Sequence, residues 1–171
     1  MRSQHDCLIT SSETIIKDNP ILTCRIAGLE DRSPVRIILD RQLKSPINSK
    51  VFKDAKKNKT IIFYNKFNKK KIKDLKKKNI KSFKVELDEN GMLDLKFILM
   101  KIKLLGYHRV FLESGSNLAH SFFRENLIDE FKLFLSNKKI KPQGLSNIKK
   151  KILPFVKNKK GINEKVNLFS E

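Results

Sequence analysis

Val110-Phe111-Leu112-Glu113-Ser114-Gly115-Ser116-Asn117-Leu118 is an apolar strand that runs into an acid and then into a small, glycine-bearing turn opening a helix. Open α/β sheets bind their ligands in the crevice beyond the carboxyl ends of the strands, which is where Glu113 falls. Gly115 lets a phosphate approach the backbone, and the N–H groups from Ser116 to Leu118 open a helix whose dipole favours an anion. The plain alternative is an ordinary capped turn, because Ser116 and Asn117 are both good N-caps. The stretch is not the Gly-x-Gly-x-x-Gly fingerprint, so its spacing alone names no ligand.

Working outward, strand-length apolar strings rich in Ile, Val and Phe alternate with amphipathic stretches of helix length. Strands are expected at Cys7 to Thr10, Val35 to Leu39, Thr60 to Tyr64, Ser82 to Leu87, Arg109 to Glu113 and Glu130 to Leu135. Helices are expected at Lys69 to Lys78, Leu93 to Leu105 and Asn117 to Asn126. In the second of these, Leu93, Phe97, Met100, Ile102 and Leu105 form the apolar face, and Gly106 is its stop. Asp88-Glu-Asn-Gly91 reads as the turn before it, with Asp94 at its positive end. The alternation implies an α/β fold: a mostly parallel central sheet flanked by helices, in one domain over residues 1–171. Ile152 to Val156 and Lys165 to Phe169, around Asn158 to Gly161, suggest an antiparallel hairpin at the sheet edge.

A second informative stretch is Thr14-Ile-Ile-Lys-Asp18-Asn-Pro20-Ile-Leu22-Thr-Cys-Arg25. Asn19-Pro20 ends any helix begun at Ser12, since proline has no N–H and pushes its predecessor out of the helical region. Thr14 and Asp18, four apart, share a face of that short helix. Taken alone they are a capped helix, with Ser11 or Ser12 as N-cap. Arg25 adds a guanidinium after an alternating stretch, able to hold a phosphate in two-point fashion.

Composition excludes several classes. Hydrophobic residues make up 39% and charged residues 33% of the 171, which describes a polar-surfaced globular chain rather than a disordered tail. No apolar run approaches the ~20 residues of a membrane span, and the start lacks the layout of a secretory signal, so a cytoplasmic protein is expected. Cys7 and Cys24 lie in no CxxC or Cys/His cluster and read as buried thiols, and no metal site is expected. The net charge of +20 raises nucleic acid as a partner. Yet the excess is nearly all lysine, in runs such as Lys66 to Lys84 and Lys149 to Lys165, whereas nucleic-acid readers favour arginine interleaved with aromatics. The runs read instead as solvated faces. His5, His108 and His120 lie near no acid or serine partner in sequence.

These residues form an ordered series that resembles the reductase domain of bacterial riboflavin biosynthesis. The series begins with Arg2-Ser-Gln-His-Asp6-Cys-Leu-Ile-Thr10, Thr14…Asp18-Asn-Pro20-x-Leu22-Thr-x-Arg25 and Pro34-Val-Arg36-Ile-Ile-Leu-Asp40. It continues through Glu113-Ser-Gly115-Ser-Asn-Leu118 and Asn126-Leu-Ile-Asp129-Glu130 to Lys141-Pro-Gln-Gly144. The resemblance implies a dihydrofolate-reductase-like fold. It also implies NADPH-dependent reduction of 5-amino-6-(5-phosphoribosylamino)uracil to the ribitylamino compound, with hydride delivered to ribose C1. The protein would act mainly by binding and aligning the two partners. By motif position, Thr14, Asp18, Gly115, Ser116, Asn117 and Leu118 are carried over to the cofactor. Arg2, Asp18, Leu22, Arg25 and Glu113 are carried over to the substrate, with Arg25 or Arg2 near the 5′-phosphate. Family members are often dimeric, so a homodimer is the expected assembly.

Departures from the pattern bear on the reading. Asp18-Asn19 stands where the family usually has two acids, and Arg41 where it commonly has Ser or Thr, so Arg41 is left out of the site. The family's opening strand with its Ser-x-Asp-Gly turn, and its deaminase half, have no counterpart upstream of Arg2. A truncated reductase domain is therefore expected, with a catalytically impaired reductase-like fragment as one alternative and a basic nucleic-acid-binding module as another.

Overall fold

The computed structural model describes residues 1–135 and 167–170. They gather into two compact units, Met1–Ser114 and Gly115–Glu171. The first contains β1 (Cys7–Ser11), α1 (Ser12–Asp18), β2 (Val35–Leu39), α2 (Lys50–Lys53), β3 (Thr60–Tyr64), α3 (Lys69–Lys77), β4 (Lys81–Lys84), α4 (Leu95–Leu104) and β5 (Val110–Leu112). Its five strands form one sheet in the order β4-β3-β2-β1-β5, and every pair is parallel. A parallel sheet covered on both faces has no solvated side, so its strands must be apolar throughout. Leu8, Ile9, Ile37, Ile38, Ile61, Ile62 and Phe63 accordingly are all fully buried. One side of this core gathers Leu8, Ile15, Leu22, Ile38, Val51, Phe52, Ile62 and Leu75.

Helix starts follow local chemistry. Ser11 caps α1, its hydroxyl oxygen accepting from the Thr14 N–H at 3.3 Å, and Asn68 and Asp94 cap α3 and α4 in the same way. Ser11→Ala should cost about 1 kcal/mol of unfolding free energy, read as a lower urea midpoint at constant slope, because one orphan N–H loses its acceptor. A loss below about 0.3 kcal/mol would mean that water replaces the cap. The turn at Asp88–Gly91 is present, with Asp88 Oδ1 accepting from the N–H groups of Asn90 and Met92 and Gly91 at φ +68°. Gly106, at φ +88°, lies just past α4, as its stop.

Three expectations need correction. The buried face of α4 is Leu95, Ile98 and Ile102, with Leu93 ahead of it, while Phe97 and Met100 are exposed. Apolar residues occupy two sides of the helix, separated by Lys96, Lys101 and Lys103, so periodicity could not choose between them. The fourth strand stops at Lys84; only Val85 continues it, through a bond to the Tyr64 carbonyl, and Leu87 instead bridges Leu93. α2 was not expected at all, being a single turn too short to show a period.

The second unit contains α5 (Ser116–Arg124), β6 (Lys132–Leu135) and β7 (Asn167–Ser170). Phe122 and Phe123 are its buried anchors, and Phe123 meets Phe131 edge to face at 5.3 Å. Among the described residues β7 pairs in parallel with β6; the other arm and the turn of the expected edge hairpin are not among them. Ile152 to Val156 and Asn158 to Gly161 lie outside the described residues, as do Lys149 to Lys165 and Lys141 to Gly144.

Candidate functional site

The segment from α1 to Arg25 is built by a helix stop and three carbonyl or amide clamps. Asn19 closes α1 in the left-handed region, at φ 44°, and its side-chain oxygen accepts from the Lys50 N–H at 2.8 Å. Asp18 is thereby the last residue of α1 and is exposed. A carboxylate at the negative end of a helix lowers helix stability, which makes Asp18 a residue the fold does not need. After Pro20 the side chains alternate, with Ile21 and Arg25 exposed and Leu22 and Cys24 buried. Leu22 has a positive φ of 63°, a conformation that costs a residue with a Cβ about 1–2 kcal/mol and persists only where neighbours hold it. They do: Arg36 Nη1 donates to the Ile21 carbonyl at 2.9 Å, Arg2 Nη1 donates to the Thr23 carbonyl at 2.8 Å, and the Cys24 N–H donates to Ser33 Oγ at 3.0 Å.

Arg2 makes the long-range connection. Its Nε donates to Glu113 Oε2 at 2.9 Å and its Nη2 to Glu113 Oε1 at 2.6 Å, a two-point guanidinium–carboxylate pair. Glu113 itself extends the β1–β5 ladder by donating its N–H to the Ile9 carbonyl. One guanidinium thus ties the tip of β5 to the backbone two residues before Arg25. The Glu113 hydrogen bond raises the Arg2 pKa above its ordinary value, against the opposing effect of burial. With side chains 20% and 36% exposed, the pair contributes no more than about 1 kcal/mol to stability, so its consequence is geometric.

The other expected positions stand as follows. Thr14 is occupied locally, its hydroxyl 3.2 Å from Ser11 Oγ. The Leu22 side chain belongs to the core, leaving only its backbone to meet a ligand. Arg25 is exposed and has no ion-pair partner among the described residues. Gly115, Ser116, Asn117 and Leu118 open α5 in the second unit. Gly115 has φ −67°, and a Cβ built on it meets nothing within 4 Å. Neither backbone conformation nor packing among the described residues requires glycine there, at the N-cap of α5.

Two further groups went unread in the sequence. Arg36, fully buried on β2, bonds Thr60 Oγ1, the Ile21, Val51 and Asn58 carbonyls and Asp54 Oδ2. Its signal was available: a charged residue inside an otherwise apolar strand is rarely buried without partners. Asp40, also buried, closes the loop after β2 by accepting the N–H groups of Lys44 at 2.8 Å and Ser45 at 2.7 Å, while Lys71 Nζ caps the Ser45 carbonyl. Arg41 is exposed and donates to the Gly91 carbonyl. Cys7 and Cys24 are free and buried, and burial pushes the Cys7 thiol up to about 12, so it stays protonated.

Known proteins agree with this order of residues. The riboflavin biosynthesis protein RibD of Aquifex aeolicus is 34% identical over 146 residues, covering 85% of this chain and 38% of that protein. A 2,5-diamino-6-ribosylamino-4(3H)-pyrimidinone 5′-phosphate reductase from Archaeoglobus fulgidus is 24% identical over 143 residues, 78% of this chain and 63% of its own. The chain therefore spans well under half the length of the bacterial relative. Acinetobacter baumannii RibD superimposes with a TM-score of 0.62 at 22% identity, over 75% of this chain and 33% of that one, so the two share a fold over that stretch. Residues 1–138 match the family model described as the RibD C-terminal domain, a match that runs across the boundary between the two compact units. The chain belongs to the RibD C-terminal domain family.

Proposed function

We propose that this chain is the reductase domain of riboflavin biosynthesis, reducing 5-amino-6-(5-phosphoribosylamino)uracil to its ribitylamino product with NADPH. The reading takes residues 1–171 as one reductase domain and goes with a cytoplasmic location and a homodimer. No helix among the described residues is long and apolar enough to cross a membrane. The observation that carries the proposal is the Arg2 junction, where a guanidinium holds both Glu113 and the Thr23 carbonyl. Arg2 and Glu113, 111 positions apart, are both assigned to substrate, and they meet beside the segment that bears Leu22 and Arg25.

The geometry divides their roles. Arg2 is committed to Glu113 and Thr23, so the substrate phosphate falls to Arg25, whose fork is exposed and unpaired with any acid among the described residues. Glu113, half exposed and fixed in position, is an acceptor for N–H or O–H groups of the pyrimidine or ribose. Gly115 fits a dinucleotide phosphate on its open side, and Thr14 and Asp18 suit the donors of a ribose or a carboxamide. Bound NADPH supplies the hydride; the chain's own part is to bind and align, an effect worth several kcal/mol of barrier.

Thermal unfolding tests the cofactor half. NADPH at about one hundred times its Kd should add roughly 2.7 kcal/mol, a midpoint rise of about 5–10 °C for a chain of this size. Gly115→Val should weaken that response at least about tenfold in NADPH concentration while costing no more than about 1 kcal/mol of folding, because the new side chain meets only the ligand. No shift with the unaltered chain, or an unchanged NADPH response in Gly115→Val, counts against the assignment.

A further inference from the structure

We infer that Arg36 is a positioning residue for the substrate segment: through the Ile21 carbonyl it holds Leu22 in its left-handed conformation and so sets the backbone that presents Arg25. The inference rests on the proposed reading for the identity of the substrate, and on geometry alone for the holding. Leu22 lies between two guanidinium clamps, Arg36 on the carbonyl before it and Arg2 on the carbonyl after it. The two clamps differ in kind. Arg2 is partly exposed and joined to one partly exposed acid, so water reaches its clamp. Arg36 is fully buried, and its remaining donors are anchored to Thr60 Oγ1 at 2.7 Å, the Val51 carbonyl at 3.0 Å, the Asn58 carbonyl at 2.6 Å and Asp54 at 3.0 Å.

Those anchors belong to the start of β3, to α2 and to the loop between them. Arg36, itself on β2, therefore refers the position of Ile21 to the sheet and to the connection from α2 to β3. The segment needs such a reference. It follows a helix stop, includes no regular structure, and carries a strained residue whose relaxation would move the backbone that bears Arg25. A lysine at 36 keeps the charge and most of the length but offers a single nitrogen, which cannot reach the Ile21 carbonyl while satisfying the anchors on the other side.

The test is Arg36→Lys in the 171-residue chain, with three readouts. Amide exchange over residues 19–26 should quicken at least about tenfold while β1 and β2 change less. The dissociation constant of ribose 5-phosphate, as a probe of the phosphate end, should rise about tenfold with that of NADPH within about twofold. In turnover, KM for the phosphoribosyl substrate should rise with kcat nearly constant. Should Arg36→Lys fail to fold, Asp54→Asn loosens the same guanidinium and should give the same pattern at smaller size. Unchanged exchange over 19–26, or a loss of protection no greater there than in the sheet, overturns the inference. Failure of the unaltered chain to bind ribose 5-phosphate and NADPH would sink the functional reading instead, and the exchange result would still decide what Arg36 does.

Discussion

Arg36→Met should lower the unfolding free energy by about 3–5 kcal/mol, the range seen when one partner of a buried charged network is removed. Methionine keeps an unbranched apolar stem but removes all five donors. The Ile21, Val51 and Asn58 carbonyls and Thr60 Oγ1 then lose a partner at a site without exposed surface. Each unsatisfied buried acceptor costs about 1–3 kcal/mol, and relaxation or a trapped water recovers part of the total. A domain of ordinary stability has about 5–15 kcal/mol in all, so this one change removes about a fifth or more of it. In urea the midpoint should fall with the slope unchanged. Asp54→Asn should cost much less, about 1 kcal/mol, because its side chain is 27% exposed and the neutral bonds to Arg36 survive. Equal losses for the two variants would mean that the ion pair, not the ring of carbonyls, is what Arg36 is buried for. A loss below about 1 kcal/mol for Arg36→Met would mean an apolar side chain fills the site as well as arginine.

Glu113→Gln should weaken substrate binding about 10–100-fold while leaving NADPH binding and folding nearly unchanged. The substitution preserves shape and removes a charge, and a hydrogen bond to a charged group is worth about 1.5–3 kcal/mol, with each 1.4 kcal/mol a factor of ten. Glutamine has one acceptor oxygen for the two donors Arg2 now presents, and its amide nitrogen faces a cation. The two-point pair opens, and Arg2 is held only at the Thr23 carbonyl. The folding cost stays below about 1 kcal/mol because the pair is partly solvated. Calorimetric titration of both ligands into both proteins gives the answer. Equal losses for substrate and cofactor would count against assigning Glu113 to the substrate.

Much of the architecture was legible because each relevant rule acts over a few residues. Cys7 to Thr10, Val35 to Leu39 and Thr60 to Tyr64 could be read as strands of a parallel sheet because strands buried on both faces are predominantly apolar. Caps at Ser11 and Asp94 and the stop at Gly106 follow from hydrogen bonds that span three or four positions. Where local signals were degenerate, the reading slipped. α4 is apolar on two sides, so its buried face could be chosen only by what packs against it. The pairing of β7 with β6 left no local trace, because it joins residues more than thirty positions apart. Arg36 was visible as a motif letter, but its five partners come from the segment before it and the turn, helix and strand after it.

The chain's own letters established an α/β protein with continuous apolar strands, a helix stopped by Asn19-Pro20, a glycine turn after Glu113 and an ordered motif series shared with one reductase family. The folded molecule alone decided that Arg2 grips Glu113 and Thr23 together, that Leu22 is held left-handed between two guanidinium groups, and that Arg25 keeps its fork unspent. Strand and cap preferences are short-range and leave a trace in neighbouring residues. Contacts across 111 positions depend on strand order and on which groups the sheet brings side by side, and those are properties of the packed structure.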